Sequence, residues 1–340
     1  MEMNKPITRR TFHQAAAMTT AATGLGVKEV YGTKLPERDQ PYRLNYIVSS
    51  AMYGEFALKD ILPEVRKTGA HAIDIWCRVH GNQREQIDDM GVEAFQQLLK
   101  KHQVELGVST RYPLGPFGLQ EEMKWLKGLK GKIVLCGTRG PREPEGAEAK
   151  SAVKAFLEQM KPHVARAEEL GVTIALENHD RQLLYHPDAL KYFAEFNRSK
   201  HLGIALAFHH LHKWEEQIPQ LCRDLCPKHV PFIYFQEHSE GIRTKASKEI
   251  EMQQMPGFGG GLDYRPIINA LKDVDYQGFV EIFMHPIPRG IPILPTVTEV
   301  TAAINKSRAY IERCLTLLPK VGGEIRNSCN NTTEGEFLTL

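Results

Sequence analysis

The sequence predicts an α/β protein built as a single (β/α)8 TIM barrel, and three observations carry that prediction. Eight short apolar segments alternate with eight amphipathic ones. The apolar segments are rich in Ile, Val and Leu on both faces, as in a parallel sheet covered by helices. The loop after the first strand, "SSAMYGEFAL", holds a single glycine, so the Gly-rich phosphate turn of an open doubly wound sheet is missing.

The elements follow in order. "RLNYIVSSA" reads as the first strand, and "ALKDILPEVRKTGA" as a helix stopped by Gly69. "HAIDIWC" is the second strand, "VEAFQQLLKKHQ" an amphipathic helix and "VELGVST" the third strand. "LQEEMKWLKGLK" is helical and "GKIVLCG" is the fourth strand. A long helix spans about Ala147 to Leu170, with Lys161 and Pro162 inside it and Gly171 ending it. "TIALENHD" opens as the fifth strand, and "PDALKYFAEFN" is a helix with Pro187 suited to its first turn. "HLGIALAF" is the sixth strand, "WEEQIPQLCRDLC" a helix and "VPFIYFQ" the seventh strand. "YRPIINALKDV" is helical, "GFVEIFMHP" is the eighth strand, and a last helix runs from about Thr296 to Leu317.

Three regions result: an export signal and linker over 1–41, the barrel over 42–318 and a tail over 319–340. In the leader, "ITRRTFHQAAAMTTAATGLGV" places Arg9 and Arg10 before an uncharged run from Ala15 to Val27. That pattern matches a twin-arginine signal and predicts a periplasmic location, with a cytoplasmic one as the alternative. The tail is rich in Gly, Asn and Thr and lacks an apolar period, so it reads as a loose extension.

Composition narrows the function. The chain of 340 residues is 42% hydrophobic and 25% charged, with a net charge of +2. No basic stripe supports a nucleic-acid partner, and no apolar run is long enough for stable membrane insertion. The six cysteines, Cys77, Cys136, Cys222, Cys226, Cys314 and Cys329, lack paired zinc spacing and read as core or incidental. A homo-oligomer is compatible with this pattern.

"TIALENHD" runs from a buried strand into four polar residues. In a barrel, polar groups belong at the C-terminal strand ends, where the loops assemble a site. Glu177 stands at such an end. Asp74, Trp76 and His80 lie around the second strand, and His209, His210 and His212 follow the sixth. Gln236, Glu237 and His238 follow the seventh, while Glu281 and His285 lie within and after the eighth. A carboxylate in an apolar strand is costly to bury unless it is paired or binds a cation. Arg111 is the nearest basic candidate, so Glu177 and Glu281 read either as salt-bridged or as ligands of a divalent metal (Mn, Zn, Mg or Co) with His and amide co-ligands. The two could also act as a catalytic base and acid. One of the three histidines, and more weakly Gln236, would join the metal. His179, His238 and His285 would ligate it, support a ligand or contact a sugar substrate. Trp76, Tyr112, Phe208, Tyr234 and Phe283 would stack on that substrate or fill the barrel.

The barrel pattern together with "ALENHD", "GIALAFHHL", "QMPGFGGGLDYRPIINAL" and "GFVEIFMHP" resembles the xylose isomerase-like TIM barrel proteins, the sugar phosphate isomerase/epimerase group, from about Leu44 to Leu317. The resemblance implies one divalent metal held by a Glu, an Asp, a His and a Glu from strands five to eight. Glu177 and Glu281 match the two glutamates. The Asp of the strand-six Asp-x-x-His pattern is replaced by Ala207, with His210 kept, and the strand-seven His by Gln236. The implied ligands are therefore Glu177, Gln236, Glu281 and His210, or the metal is lost. The further ligands of endonuclease IV-like relatives are not evident. The resemblance implies a sugar isomerase or epimerase that moves a proton beside a carbonyl through an enediolate, Glu177 and Glu281 being its catalytic pair. The alternatives are a keto-sugar or keto-glycoside lyase, and a non-catalytic sugar-binding barrel with a decayed metal site.

Overall fold

The computed structural model describes residues 41–316. The twin-arginine motif, the tail and Cys329 lie outside the described residues. Eight parallel strands close in sequence order into a barrel. They are β1 (Asn45–Ser49), β2 (Ala72–Trp76), β3 (Glu105–Thr110), β4 (Ile133–Cys136), β5 (Thr173–Glu177), β6 (Leu202–Ala207), β7 (Phe232–Phe235) and β8 (Phe279–Ile282). Closure is made by β8 pairing with β1, with Asn45 opposite Phe279 and Ile47 opposite Glu281. Every strand expected from the sequence is present, each a little shorter than its apolar run.

The connecting helices are α1 (Leu58–Val65), α2 (Gln83–Met90), α3 (Val92–His102), α4 (Gln120–Gly128), α5 (Gly146–Leu170), α6 (Pro187–Phe196), α7 (Ile218–His229), α8 (Lys248–Met252), α9 (Tyr264–Asp273) and α10 (Val297–Thr316). The sequence pattern anticipates eight of these ten. It misses α2, whose QREQIDDM has too few apolar residues to show a period, and the five-residue α8. The helix expected from Trp214 begins instead as a 3-10 stretch, Phe208–Gln217, kinked at Leu211 and Trp214, and becomes α-helical only at Ile218. Pro162 sits inside α5, which ends at Gly171 with φ +66°, a left-handed residue that glycine adopts without strain.

Arg111 is committed elsewhere than to the two strand glutamates. Its guanidinium lies 3.2 Å from Glu122 on α4. Arg84 on α2 also reaches Glu122 at 3.2 Å, and Ser109 on β3 donates to it at 2.6 Å. This buried cluster ties α2 and α4 to β3. Five cysteines are buried and free. Among the described residues, no helix is long and apolar enough to cross a membrane.

Candidate active site at the barrel mouth

The strand ends place the polar residues in layers. Within the barrel, Asp74 is opposite Ser49 on β1, and Glu281 is opposite Tyr234 on β7. Asp74, Glu281 and Tyr234 are almost fully buried. The Asp74 carboxylate accepts a bond from Thr110 Oγ1 at 2.8 Å through one oxygen, and its other oxygen has no partner. Neither Glu281 oxygen nor the Tyr234 hydroxyl makes a well-formed hydrogen bond, although Ser49 and Asp74 lie beside Glu281 and Thr110 beside Tyr234. Burial, and then the neighbouring Asp74 charge, hold Glu281 well above the usual carboxylate range. Burial pushes Asp74 up to about 7. Two carboxyl groups this close and this dry resist ionising together.

Glu177 ends β5, 4% exposed. Tyr112, just beyond β3, donates its hydroxyl to Oε2, and Nε2 of His210 lies 3.8 Å from Oε1. No arginine or lysine pairs with it among the described residues. Burial pushes its carboxyl up to about 7, the His179 charge working in the opposite direction. The adjoining Asn178 explains part of "ENHD". Its side chain accepts from the Ala207 N–H at 2.7 Å and donates to the Ala207 carbonyl at 3.0 Å, clamping the ends of β5 and β6 together.

His179 and His210 lie ring against ring, 4.0 Å between centroids, and share one carboxylate. Asp180 Oδ1 lies 2.9 Å from His179 Nδ1 and 3.3 Å from His210 Nδ1. Arg243 holds the other Asp180 oxygen. At His179 the Asp180 carbonyl also faces Nδ1, at 2.7 Å, which favours the Nδ1–H tautomer and frees Nε2 to ligate; at His210 the Asp180 N–H points at Nδ1, at 3.5 Å. Burial holds the His210 pKa well below the usual imidazole value, reinforced by His209 and His179, so His210 is neutral. Among the described residues, one group of three ligating side chains closes to within 4.8 Å: Glu177, His179 and His210.

Gln236 follows β7 and is fully buried. Gln254 decides which way its amide faces. The Gln254 amide donates to the His285 carbonyl at 3.2 Å and accepts from the His285 N–H at 3.4 Å. That double contact fixes the Gln254 oxygen as an acceptor, so Gln236 must offer it nitrogen, at 2.8 Å. The Gln236 oxygen is left with no partner. Buried acceptors without donors are expensive in an apolar interior. The close group of possible ligands is Glu177, His179 and His210, which does not include Glu281. Glu281 and Gln236 add buried oxygens without hydrogen-bond partners on the neighbouring strands, and carboxylate, imidazole and amide oxygen are donors that a divalent cation accepts.

The other expected residues divide. Trp76 is 3% exposed, stacks on Phe283 with centroids 5.1 Å apart and borders Tyr112 and His80. It forms an aromatic wall of the mouth. His285 neighbours His80 and Phe283 beside that wall. His238 stands apart, exposed and stacked on His212 at 3.8 Å. Asp180, Gln254 and the Tyr112 hydroxyl were not singled out from the sequence. Asp180 stands within the quoted "ENHD", whereas Gln254 carries no local signal.

Residues 62–310 match the family described as xylose isomerase-like TIM barrel. The chain belongs to that family. No curated protein matches the sequence. Among solved structures, IolI protein with a bound zinc atom superposes with a TM-score of 0.62 at 18% identity, covering 79% of this chain and 99% of that one. D-allulose 3-epimerase from Methylomonas sp. gives 0.58 at 15% identity, covering 81% and 99%. The 3-keto-D-glucoside 4-epimerase of E. coli gives 0.57 at 14% identity, covering 78% and 100%. At these identities the likenesses establish the fold.

Proposed function

We propose that this protein is a metal-dependent sugar isomerase or epimerase that moves a proton on a carbon beside a sugar carbonyl. One observation carries the reading. Two carboxylates from distant strands, Glu177 and Glu281, are buried at the mouth without a basic partner among the described residues. The sugar epimerases among the structural neighbours support the same class.

Glu177, His210, Gln236 and Glu281 would hold the cation, with His179 bordering it. When bound, it supplies positive charge opposite the carbonyl oxygen as negative charge builds there. The protein's own groups do the proton work. Glu177, the carboxylate that ends β5, is the group that takes the proton from the carbon. Tyr112 orients it through the hydroxyl bond. Glu281, bordered by Asp74, offers the second carboxyl that a proton returning to the other face or the adjacent carbon requires. Trp76 and Phe283 supply an apolar wall against which a sugar ring packs.

The test is proton NMR in deuterated water with a panel of keto-sugars. The wild-type protein is expected to wash deuterium into a carbon beside the carbonyl. Glu281→Gln is expected to slow that exchange by about 10²–10⁴-fold with an unchanged circular dichroism spectrum. Exchange at the wild-type rate in the variant removes Glu281 from the chemistry. Wild-type protein that retains no Mn²⁺, Zn²⁺, Mg²⁺ or Co²⁺ at millimolar concentration refutes the metal.

A further inference from the structure

A cavity of about 450 Å³ opens beside the mouth between the ends of β4 and β5, lined by Tyr112, Gly115, Thr138, Arg139, Arg142 and Arg181. Three arginines converge on it. Arg181 has one distant acidic neighbour, Asp180 at 3.8 Å. Arg139 and Arg142 form no salt bridge among the described residues. The nearby Glu143 is engaged otherwise, accepting the Arg181 backbone N–H at 2.8 Å.

The loop that carries these arginines is braced. Gln182 accepts from the backbone N–H of Thr138 and, at 3.2 Å, from its hydroxyl. Its carbonyl accepts the Glu143 N–H at 3.0 Å. Gly137 admits the Gln182 side chain, because a Cβ there would lie 2.5 Å from the amide oxygen. Arg139 passes over Gly115, where an added Cβ would lie 3.3 Å from Nε. The loop backbone beneath the arginines is therefore braced, while the guanidinium groups themselves are exposed at the cavity rim, and a planar guanidinium fork matches a carboxylate or phosphate.

Tyr112 joins the cavity to the chemistry. It lines the cavity, and its hydroxyl reaches Glu177. An anion held by the arginines thus stands one phenol ring from the carboxylate that handles the proton, a span bridged by the carbon chain of a sugar. We infer that the substrate is an anionic sugar, a keto-sugar bearing a carboxylate or a phosphate remote from the reacting carbon, anchored by Arg139, Arg142 and Arg181. This rests on the proposed isomerase or epimerase reading of the site.

The experiment compares D-fructose, D-fructose 6-phosphate and 5-keto-D-gluconate with the full-length, metal-loaded protein. Deuterium exchange is read by NMR and binding by calorimetry. At least one charged compound is expected to bind at least 10-fold more tightly than D-fructose. The phosphate or the keto acid, whichever leads, identifies the anion. Raising the salt to 0.5 M should shrink the preference, and Arg139→Gln/Arg142→Gln should abolish it by raising KM more than it changes kcat. Arg139→Lys/Arg142→Lys should restore part of it. Equal handling of neutral and charged compounds, or a preference untouched by the double variant, overturns the inference. Arginine-dependent binding of a charged compound without proton exchange in any of the three sustains the anion site and counts against the proposed reaction, so the two failures are distinguishable.

Discussion

At the residue scale, Asp180 organises the site without belonging to the expected ligand set. One of its oxygens faces Nδ1 of both His179 and His210, and its backbone touches the same two atoms, the carbonyl at 2.7 Å from His179 and the N–H at 3.5 Å from His210, so a single residue borders both imidazoles. Burial would raise its pKa, but the bond from His179 and the charges of His179 and Arg243 pull it far below the usual carboxylate range. Asp180→Asn is expected to weaken Zn²⁺ or Mn²⁺ binding by about 10–100-fold, measured by metal titration, with a circular dichroism spectrum like that of wild type. Unchanged affinity would mean that the ring orientations are set by packing. The sequence showed Glu177, Glu281 and His210 because each interrupts or follows an apolar strand. It could not show the Gln236–Gln254 contact, because that bond depends on the path of a loop with no periodic signal. Nor could it show that Tyr112 reaches Glu177, which depends on how β3 and β5 sit around the barrel.

At the element scale, the strands were legible because a closed parallel sheet buries both faces and leaves each strand as an apolar run bounded by turns. The larger helices were legible from their apolar stripe. The two missed helices lack that signal: α2 offers mainly Ile87 to the core, and α8 is little more than one turn. What holds α2 is polar contact: Gln83 donates to the Gly54 carbonyl at 2.7 Å, Gln86 accepts from the Leu58 N–H at 2.9 Å, and Arg84 pairs with Glu122, with Trp125 beneath its guanidinium at 4.1 Å. Glu122→Ala strands Arg84 and Arg111 without their shared partner in a buried setting. The expected loss is about 3–5 kcal/mol, read as a lower urea midpoint with an unchanged slope. A change below ~1 kcal/mol would show that water or Asp88 takes over. The Gly-rich loop before α9 has a structural explanation too. Glu237 accepts the Leu262 N–H at 3.2 Å, and a Cβ on Gly260 would come within 2.3 Å of both the Gln253 carbonyl and a Glu237 oxygen.

At the scale of the whole molecule, closure of β8 onto β1 brings Glu281 to the same mouth as Glu177 and Asp74, although they are far apart in sequence. Eight repeats and the absence of a glycine-rich turn were enough to read that closure, whereas the balance of charge inside it required coordinates. If a divalent ion fills the proposed site beside the buried oxygens of Glu281 and Gln236, thermal endurance becomes a function of mineral supply. An ion that binds only the native chain adds about 1.4 kcal/mol to the unfolding free energy for each tenfold rise in its free concentration above Kd. Differential scanning calorimetry should therefore show Tm climbing with added Mn²⁺ or Zn²⁺ and falling after dialysis against EDTA. Glu281→Gln should flatten that climb, and a wild-type Tm indifferent to every divalent ion would contradict it. On the proposed reading, such a chain endures heat only as well as its surroundings keep it stocked with the right element.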